Sequence, residues 1–383
     1  MRTQSERTGT LAVFATFFMN SVVLGNWIPR IPDVKVLLDL SATQLGVGLL
    51  SLALGTLVAF AMSAPLIKAL GLRKSCMASM PLWALVFAAV PQVPGFAGFC
   101  LVLFVGGLSV GVLEVAMNSA ADKQSRAIGE QIMSRAHGFW SLGSLAGALI
   151  GSAFALYEVP VGIHFAVVAP FATIFGVMAA NYIPDFEVDK GEKEPAFFQL
   201  PSRQIFLLCA FPVGVMLVEG AFIDWSALFV KSILAGSAVA IGLIYAAFSL
   251  VMAITRLSGD WLVERYGPLL VARVSCLSAT FGIALFALAP NVIVAFVAAL
   301  FSGLGVAIVY PLAMTAAARR PGGAERNVAA LSLFAFSAFM LAPPIIGFLT
   351  DLTGMRLALL LLAPLAGASI LLTNQLKPAE PQP

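Results

Sequence analysis

Runs of roughly 20 apolar residues, long enough to cross a hydrocarbon core about 30 Å thick, recur twelve times along the 383 residues. They fall near 9–30, 42–67, 75–92, 95–121, 136–157, 160–183, 204–230, 237–262, 268–289, 291–317, 328–350 and 355–376. Most connections are a few residues long. The longest polar stretch, Pro184 to Arg203, holds Asp185, Glu187, Asp189, Lys190, Glu192, Lys193 and Glu194, and separates six runs from six. The pattern predicts an all-α membrane protein of twelve transmembrane helices. Its expected parts are a six-helix bundle at 1–183, a cytoplasmic central loop at 184–203, a second bundle at 204–376 and a disordered tail at 377–383. The first run follows Arg2 and Arg7 as a signal peptide would. It continues past Leu24 into Trp27-Ile-Pro-Arg30 without a small-residue cleavage site, so a retained first helix is expected.

Composition agrees with this pattern. The chain is 60% hydrophobic and 11% charged, against about 45–50% and 25% in soluble domains. Its net charge of +3 is scattered over short loops and implies no nucleic-acid partner. Cys76, Cys100, Cys209 and Cys276 are far apart and form neither a disulfide framework nor a metal spacing. No cofactor is expected. Lysine and arginine in loops set orientation. With the N-terminus inside, 18 of the 22 basic residues are cytoplasmic, and only Arg30, Lys35, Lys231 and Arg356 lie outside. Both termini are therefore expected in the cytoplasm and, for a bacterial chain, the protein in the inner membrane.

The halves repeat. A shift of 196 places Gly46 on Gly242, Gly71 on Gly267, Gly107 on Gly303, Leu108 on Leu304, Ser141 on Ser337 and Gly151 on Gly347; a shift of 198 places Asn26-Trp27 on Asp224-Trp225. A parallel repeat of this kind puts the substrate site near mid-membrane, where the halves meet.

Polar residues inside apolar runs are the candidates for chemistry, because a charge in a bilayer costs at least about 2.5–3.5 kcal/mol and must face protein or water. On the fourth run Gly107, Gly111, Glu114, Asn118 and Ala121 form one helical stripe, read as the wall of a cavity. Glu114 is read as a proton- or solute-binding acid, with a static interhelical hydrogen bond as the alternative. A carboxyl out of water exchanges protons nearer neutrality than one in water, as a carrier requires. Asn20 and Asn26 on the first run and Glu219 on the seventh join it as proton or substrate candidates. Glu219 is equally read as a structural pair. Arg30 either binds an anionic group, pairs with an acid or anchors the interface. Tyr310, the repeat mate of Glu114, lies in the cavity or packs with its hydroxyl satisfied. Asp224 falls about 30 Å along the seventh helix and reads as interfacial. Gly143, Gly147 and Gly151 mark a close-packing face, and His137 beside it reads as an interfacial hydrogen bond or a proton relay. His164 near the outer end of the sixth run carries less weight.

The loop after the eighth run reads Arg256-Leu-Ser-Gly-Asp260-Trp-Leu-Val-Glu264-Arg265-Tyr-Gly267. Glu264, Arg265 and Gly267 match the acid-Arg-x-Gly core of the loop motif of the major facilitator superfamily. The counterpart after the second run keeps Gly71, Arg73 and Lys74 but has Lys68 in place of the acid. These residues read as a cytoplasmic gate, or as topogenic charge with a turn glycine. The whole chain resembles a major facilitator carrier. Leu113-Glu114-Val-Ala-Met-Asn118 is similar to the Leu-Glu-x-Ala-x-Asn pattern of the fucose–proton symporter group. His137-Gly-Phe-Trp-Ser-Leu-Gly143 and Asp224-Trp225 resemble a bacterial branch of poorly characterised members that includes one associated with rhizopine transport. The resemblance implies two six-helix bundles, alternating access, a cavity lined by helices one, four, seven and ten, and proton coupling. Glu114 would then be the proton or sugar acid and Asn118 a cavity amide. The chain lacks the additional acid that fucose symporters carry on helix one.

The expected function is secondary transport of a small polar, sugar-like solute, driven by protons and carried out by a monomer. Export of amphipathic compounds and a non-transporting membrane sensor are the alternatives. An enzyme is not expected, since the histidines stand apart and no Ser/His/Asp or metal constellation is present. No ATP-binding loop of the GxxxxGK[ST] type occurs either, so a gradient should supply the energy.

Overall fold

The computed structural model describes residues 3–130, 132–186, 205–321 and 323–377. Most of the expected central loop and the expected disordered tail lie outside them. Among the described residues the chain is nearly all helical, and twelve helical segments are long and apolar enough to cross a membrane. They are α1 Gln4–Leu37, α2 Ala42–Leu70, α3 Leu72–Gln92, α4 Gly95–Ile128, α5 Arg135–Leu156, α6 Val161–Asn181, α7 Phe206–Ser232, α8 Ala238–Leu257, α9 Pro268–Ala287, α10 Val292–Ala318, α11 Arg326–Thr353 and α12 Met355–Leu376.

Several helices outrun their apolar stretch, because a helix ends where its backbone geometry changes and not where hydrophobicity does. Thr3 and Glu6 form a capping box that starts α1 ahead of the apolar run. The fourth run ends near residue 121, yet α4 continues to Ile128, with an Asp122–Arg126 ion pair of 2.8 Å on the added turns. Gly129 then turns left-handed at φ 65° and stops it. The eighth run behaves in the opposite way. It ends at Leu257, and Gly259–Tyr266 forms a separate short helix.

The chain divides into two compact units: Met1–Glu192 with Ser237–Gly242, and Lys193–Gly236 with Leu243–Pro383. In the first, α1 packs on α5, α2 on α4, and α3 on α4 and α6. In the second, α9 packs on α10 and α12, and α7 on α11 and α12. Many outward residues are apolar. On α6, Ile163, Val167, Phe171, Ile174 and Met178 form an exposed stripe at helical spacing, as a lipid-facing surface should.

The sequence repeat is also a repeat of contacts. Gly107 on α4 lies against the Leu52 carbonyl of α2, with no room for a Cβ; Gly303 on α10 lies in the same way against the Phe248 carbonyl of α8. Leu52 and Phe248 are themselves 196 residues apart. Gly71 and Gly267, which start the third helix of each half, share φ near +80° (80° and 79°), a conformation that costs glycine little.

The glycine face of α5 meets α1. Gly147 touches the Val22 carbonyl, and its missing Cβ would also stand 2.9 Å from the Asn26 amide nitrogen. Helices associate in lipid by such close backbone approach, since apolar burial contributes little there. Gly147→Leu should therefore lower the yield of folded protein in size-exclusion chromatography, with Gly147→Ala intermediate, by at least the ~1–3 kcal/mol of an overpacked core. A Gly147→Leu protein with parental yield and melting temperature would show that α5 does not need this contact.

Candidate functional site

The glycines of the α4 stripe do not line a cavity. Gly107 and Gly111 are buried against α2, and a Cβ on Gly111 would lie 2.6 Å from that of Ala59. Small residues were spaced for helix packing there. The polar half of the stripe meets α1 instead. Asn20, only 2% exposed, donates Nδ2 to Glu114 Oε1 at 2.8 Å. Asn118, one turn along α4, donates Nδ2 to Glu114 Oε2 at 3.2 Å and to the Glu114 carbonyl at 2.8 Å. An ionised carboxylate can only accept, which sets both amides with nitrogen toward it. The Trp83 indole N–H reaches the Asn20 carbonyl at 3.2 Å, so α3 holds this point of α1 as well. Among the described residues no cation pairs with Glu114. It is half-buried and held by neutral donors, which satisfy its oxygens without a counter-ion.

Asn26 and Arg30 belong to a different group. Asn26 is 1% exposed and donates Nδ2 to the Val22 carbonyl at 2.8 Å, leaving Oδ1 to accept. His164 Nε2 sits 2.9 Å from that oxygen, which assigns the proton to Nε2. The imidazole is wholly buried between Phe154 and Phe165, at centroid distances of 4.3 and 4.8 Å. Arg30, 3% exposed, donates Nη2 to the Val159 carbonyl at 2.8 Å and stands 2.7 Å from Asp33. Of the alternatives for Arg30, the acid pair is the one formed. The importance of His164 was missed in the sequence because its partner lies 138 residues away. His137 presents its ring to the edge of Phe17 at 5.3 Å.

In the second unit Pro311 decides the chemistry. Having no N–H, it cannot bond the carbonyl four residues earlier, that of Ala307. The helix breaks there, between Val306 and Val309. Arg256 Nε of α8 donates to the orphaned Ala307 oxygen at 3.2 Å, and Arg256 Nη2 to Glu219 Oε1 of α7 at 3.1 Å. One guanidinium thus joins three helices and neutralises Glu219. Tyr310, half-buried, spends its hydroxyl on Ser332 at 3.1 Å. The seventh span runs from Phe206 to Ser232, with Asp224 eight residues from its end.

Residues 9–338 match the family described as Major Facilitator Superfamily. The chain belongs to the major facilitator superfamily. A Sinorhizobium fredii protein described as an uncharacterized transporter, y4wD, is 33% identical over 372 residues, covering 95% of this chain and 97% of that one. The crystal structure of the nucleoside transporter NupG is similar with a TM-score of 0.75 at 15% identity, covering 96% and 98%. That of the E. coli fucose:proton symporter FucP gives 0.66 at 16% identity, covering 98% and 100%. The protein is thus a multi-pass membrane transporter and not an enzyme.

In this major facilitator the two loop motifs are used unequally. Arg73 donates Nε to the Ile183 carbonyl at 2.6 Å and lies 3.5 Å from Asp185, tying the start of α3 to the chain after α6. Lys68, Asp260, Glu264 and Arg265 are exposed and form no ion pair or hydrogen bond among the described residues. Among the described residues Glu264 and Arg265 take part in no charge pair, and the short helix carrying them lies on the surface. Arg256 holds its acid elsewhere, at Glu219. A double-mutant cycle on Glu219→Gln and Arg256→Gln should give a coupling of about 0.5–3 kcal/mol in thermal unfolding. Additive losses would separate the pair.

Proposed function

We propose that this transporter moves a small polar, sugar-like solute together with protons, by alternating access of its halves 1–183 and 204–376, as a monomer in the bacterial inner membrane with both termini cytoplasmic. The observation that carries the reading is the Glu114 group. It is an acid on a membrane-spanning helix, held by Asn20 and Asn118 with no cation beside it. Such a carboxyl can exchange a proton, or a solute hydroxyl for an amide donor, without breaking an ion pair. Glu219 is the weaker candidate, since releasing it would leave Arg256 unpaired in the span. Asn20 and Asn118 act as the amide donors. Asn26, Arg30 and Tyr310 serve this reading as supports, each making a hydrogen bond within its own half. Arg73, Arg256 and the surface charges Lys68, Asp260, Glu264 and Arg265 belong on this reading to the cytoplasmic gate. The sugar-like character draws on NupG and FucP, whose named cargoes both contain a sugar ring. The orientation draws on the 18 basic residues assigned to one face.

A thermal-shift screen of purified protein against sugars, polyols, nucleosides, organic acids and amines identifies the solute, because ligand at 100 times its dissociation constant adds about 2.7 kcal/mol to the folded state. With that solute in proteoliposomes, Glu114→Gln should keep exchange across the membrane and lose accumulation driven by an imposed pH gradient. Accumulation at the parental level would remove Glu114 from coupling. Lost stability with normal pH dependence would make it a structural hydrogen bond.

A further inference from the structure

Asn26 and Asp224 stand at related positions in the two halves, each followed by a buried tryptophan, Trp27 and Trp225. Their surroundings differ. Asn26 is enclosed and spends its amide on Val22 and His164. The residue related to His164 by the same shift of 198 is Leu362, which is buried and can donate nothing. Asp224 is half-buried and has no hydrogen bond or ion pair among the described residues.

Three arginines of its own unit are committed elsewhere. Arg256 holds Glu219 and the Ala307 carbonyl. Arg356 donates to the Ala287 and Ala289 carbonyls and lies over the Phe229 ring. Arg273 bonds Thr373 and Asn374. Lys231 is exposed, seven residues further along α7. On α7 the half-buried Val213, Met216, Leu217, Ile223 and Asp224 share an arc of roughly 120°. An unpaired acid two turns inside a span cannot face lipid at a cost below about 2.5–3.5 kcal/mol. This arc of α7 must then meet water and whatever water carries.

We propose that Asp224 is a solute-binding acid of the second half, which takes a compact cationic group, such as an ammonium, on the transported molecule. The inference rests on the transport reading and deepens it. Glu114 with its amides suits hydroxyls and protons, whereas Asp224, lacking any donor of its own, suits a positive charge.

The test needs no knowledge of the solute. Cys100, the half-buried one of four free cysteines, is replaced by Ser, and Ile223→Cys is introduced beside the acid. The probes are two small methanethiosulfonates on purified protein, one bearing trimethylammonium and one bearing sulfonate. With Asp224 present the cationic reagent should react faster. Asp224→Asn should lower the ratio of the two rates at least about tenfold, the low end of the effect of a charged cleft on ionic encounter. An unchanged ratio would overturn the proposal. Should Asp224→Asn fail to fold, Asp224→Cys decides: modification supports an aqueous face, and inertness to both reagents while Lys231→Cys reacts overturns it. Glu114→Gln should leave the ratio unaltered, so a failure of the coupling reading and a failure here are told apart.

Discussion

Backbone-to-backbone contact at glycine is what the other features rest on. In lipid, neighbouring helices gain little from hiding apolar side chains, so their association depends on packing and on interhelical hydrogen bonds. Gly107 against Leu52 and Gly303 against Phe248 set the distance between α4 and α2 and between α10 and α8. Gly147 against Val22 does the same for α5 and α1. Only with α1 held by such contacts can the short amide of Asn20 reach Glu114 at 2.8 Å. A bulkier side chain at Gly147 would displace α1 by more than a hydrogen bond tolerates.

Intramembrane charge is handled in three ways. Glu219 is paired with Arg256 and Arg30 with Asp33, and both arginines also donate to backbone carbonyls. Glu114 is held by neutral amides. Asp224 has no protein partner among the described residues. Pairing fixes a charge state, because breaking it strands the other ion; amides and open faces leave it adjustable. Glu114 and Asp224, two acids that have no counter-ion among the described residues of their spans, fall one in each half.

Apolar run length, loop charge and the 196-residue shift are properties of the chain, and they sufficed for class, helix number and repeat, while the loop motif around Glu264 and Arg265 carried the resemblance to the family. Pro311 orphans the Ala307 carbonyl by a local, covalent effect that run length and charge do not register. Which group would answer it was not legible. Arg256 looked like a loop-motif residue and Glu219 like a possible proton site, and only their meeting at 3.1 Å assigned both. The glycines of α4 were misread for the same reason. Spacing shows that residues share a face, while what the face meets depends on the rotation of a second helix.

Sequence by itself determined the twelve-helix transporter, its two related halves and the short roll of polar residues inside the membrane, because hydrophobicity and periodicity are local. Tertiary structure alone decided that Glu114 meets Asn20 across 94 residues, that His164 closes on Asn26 across 138, and that Asp224 forms no hydrogen bond or ion pair among the described residues. Hydrogen bonds hold over a few tenths of an ångström, and helix rotation and tilt, which no single helix encodes, move side chains by far more.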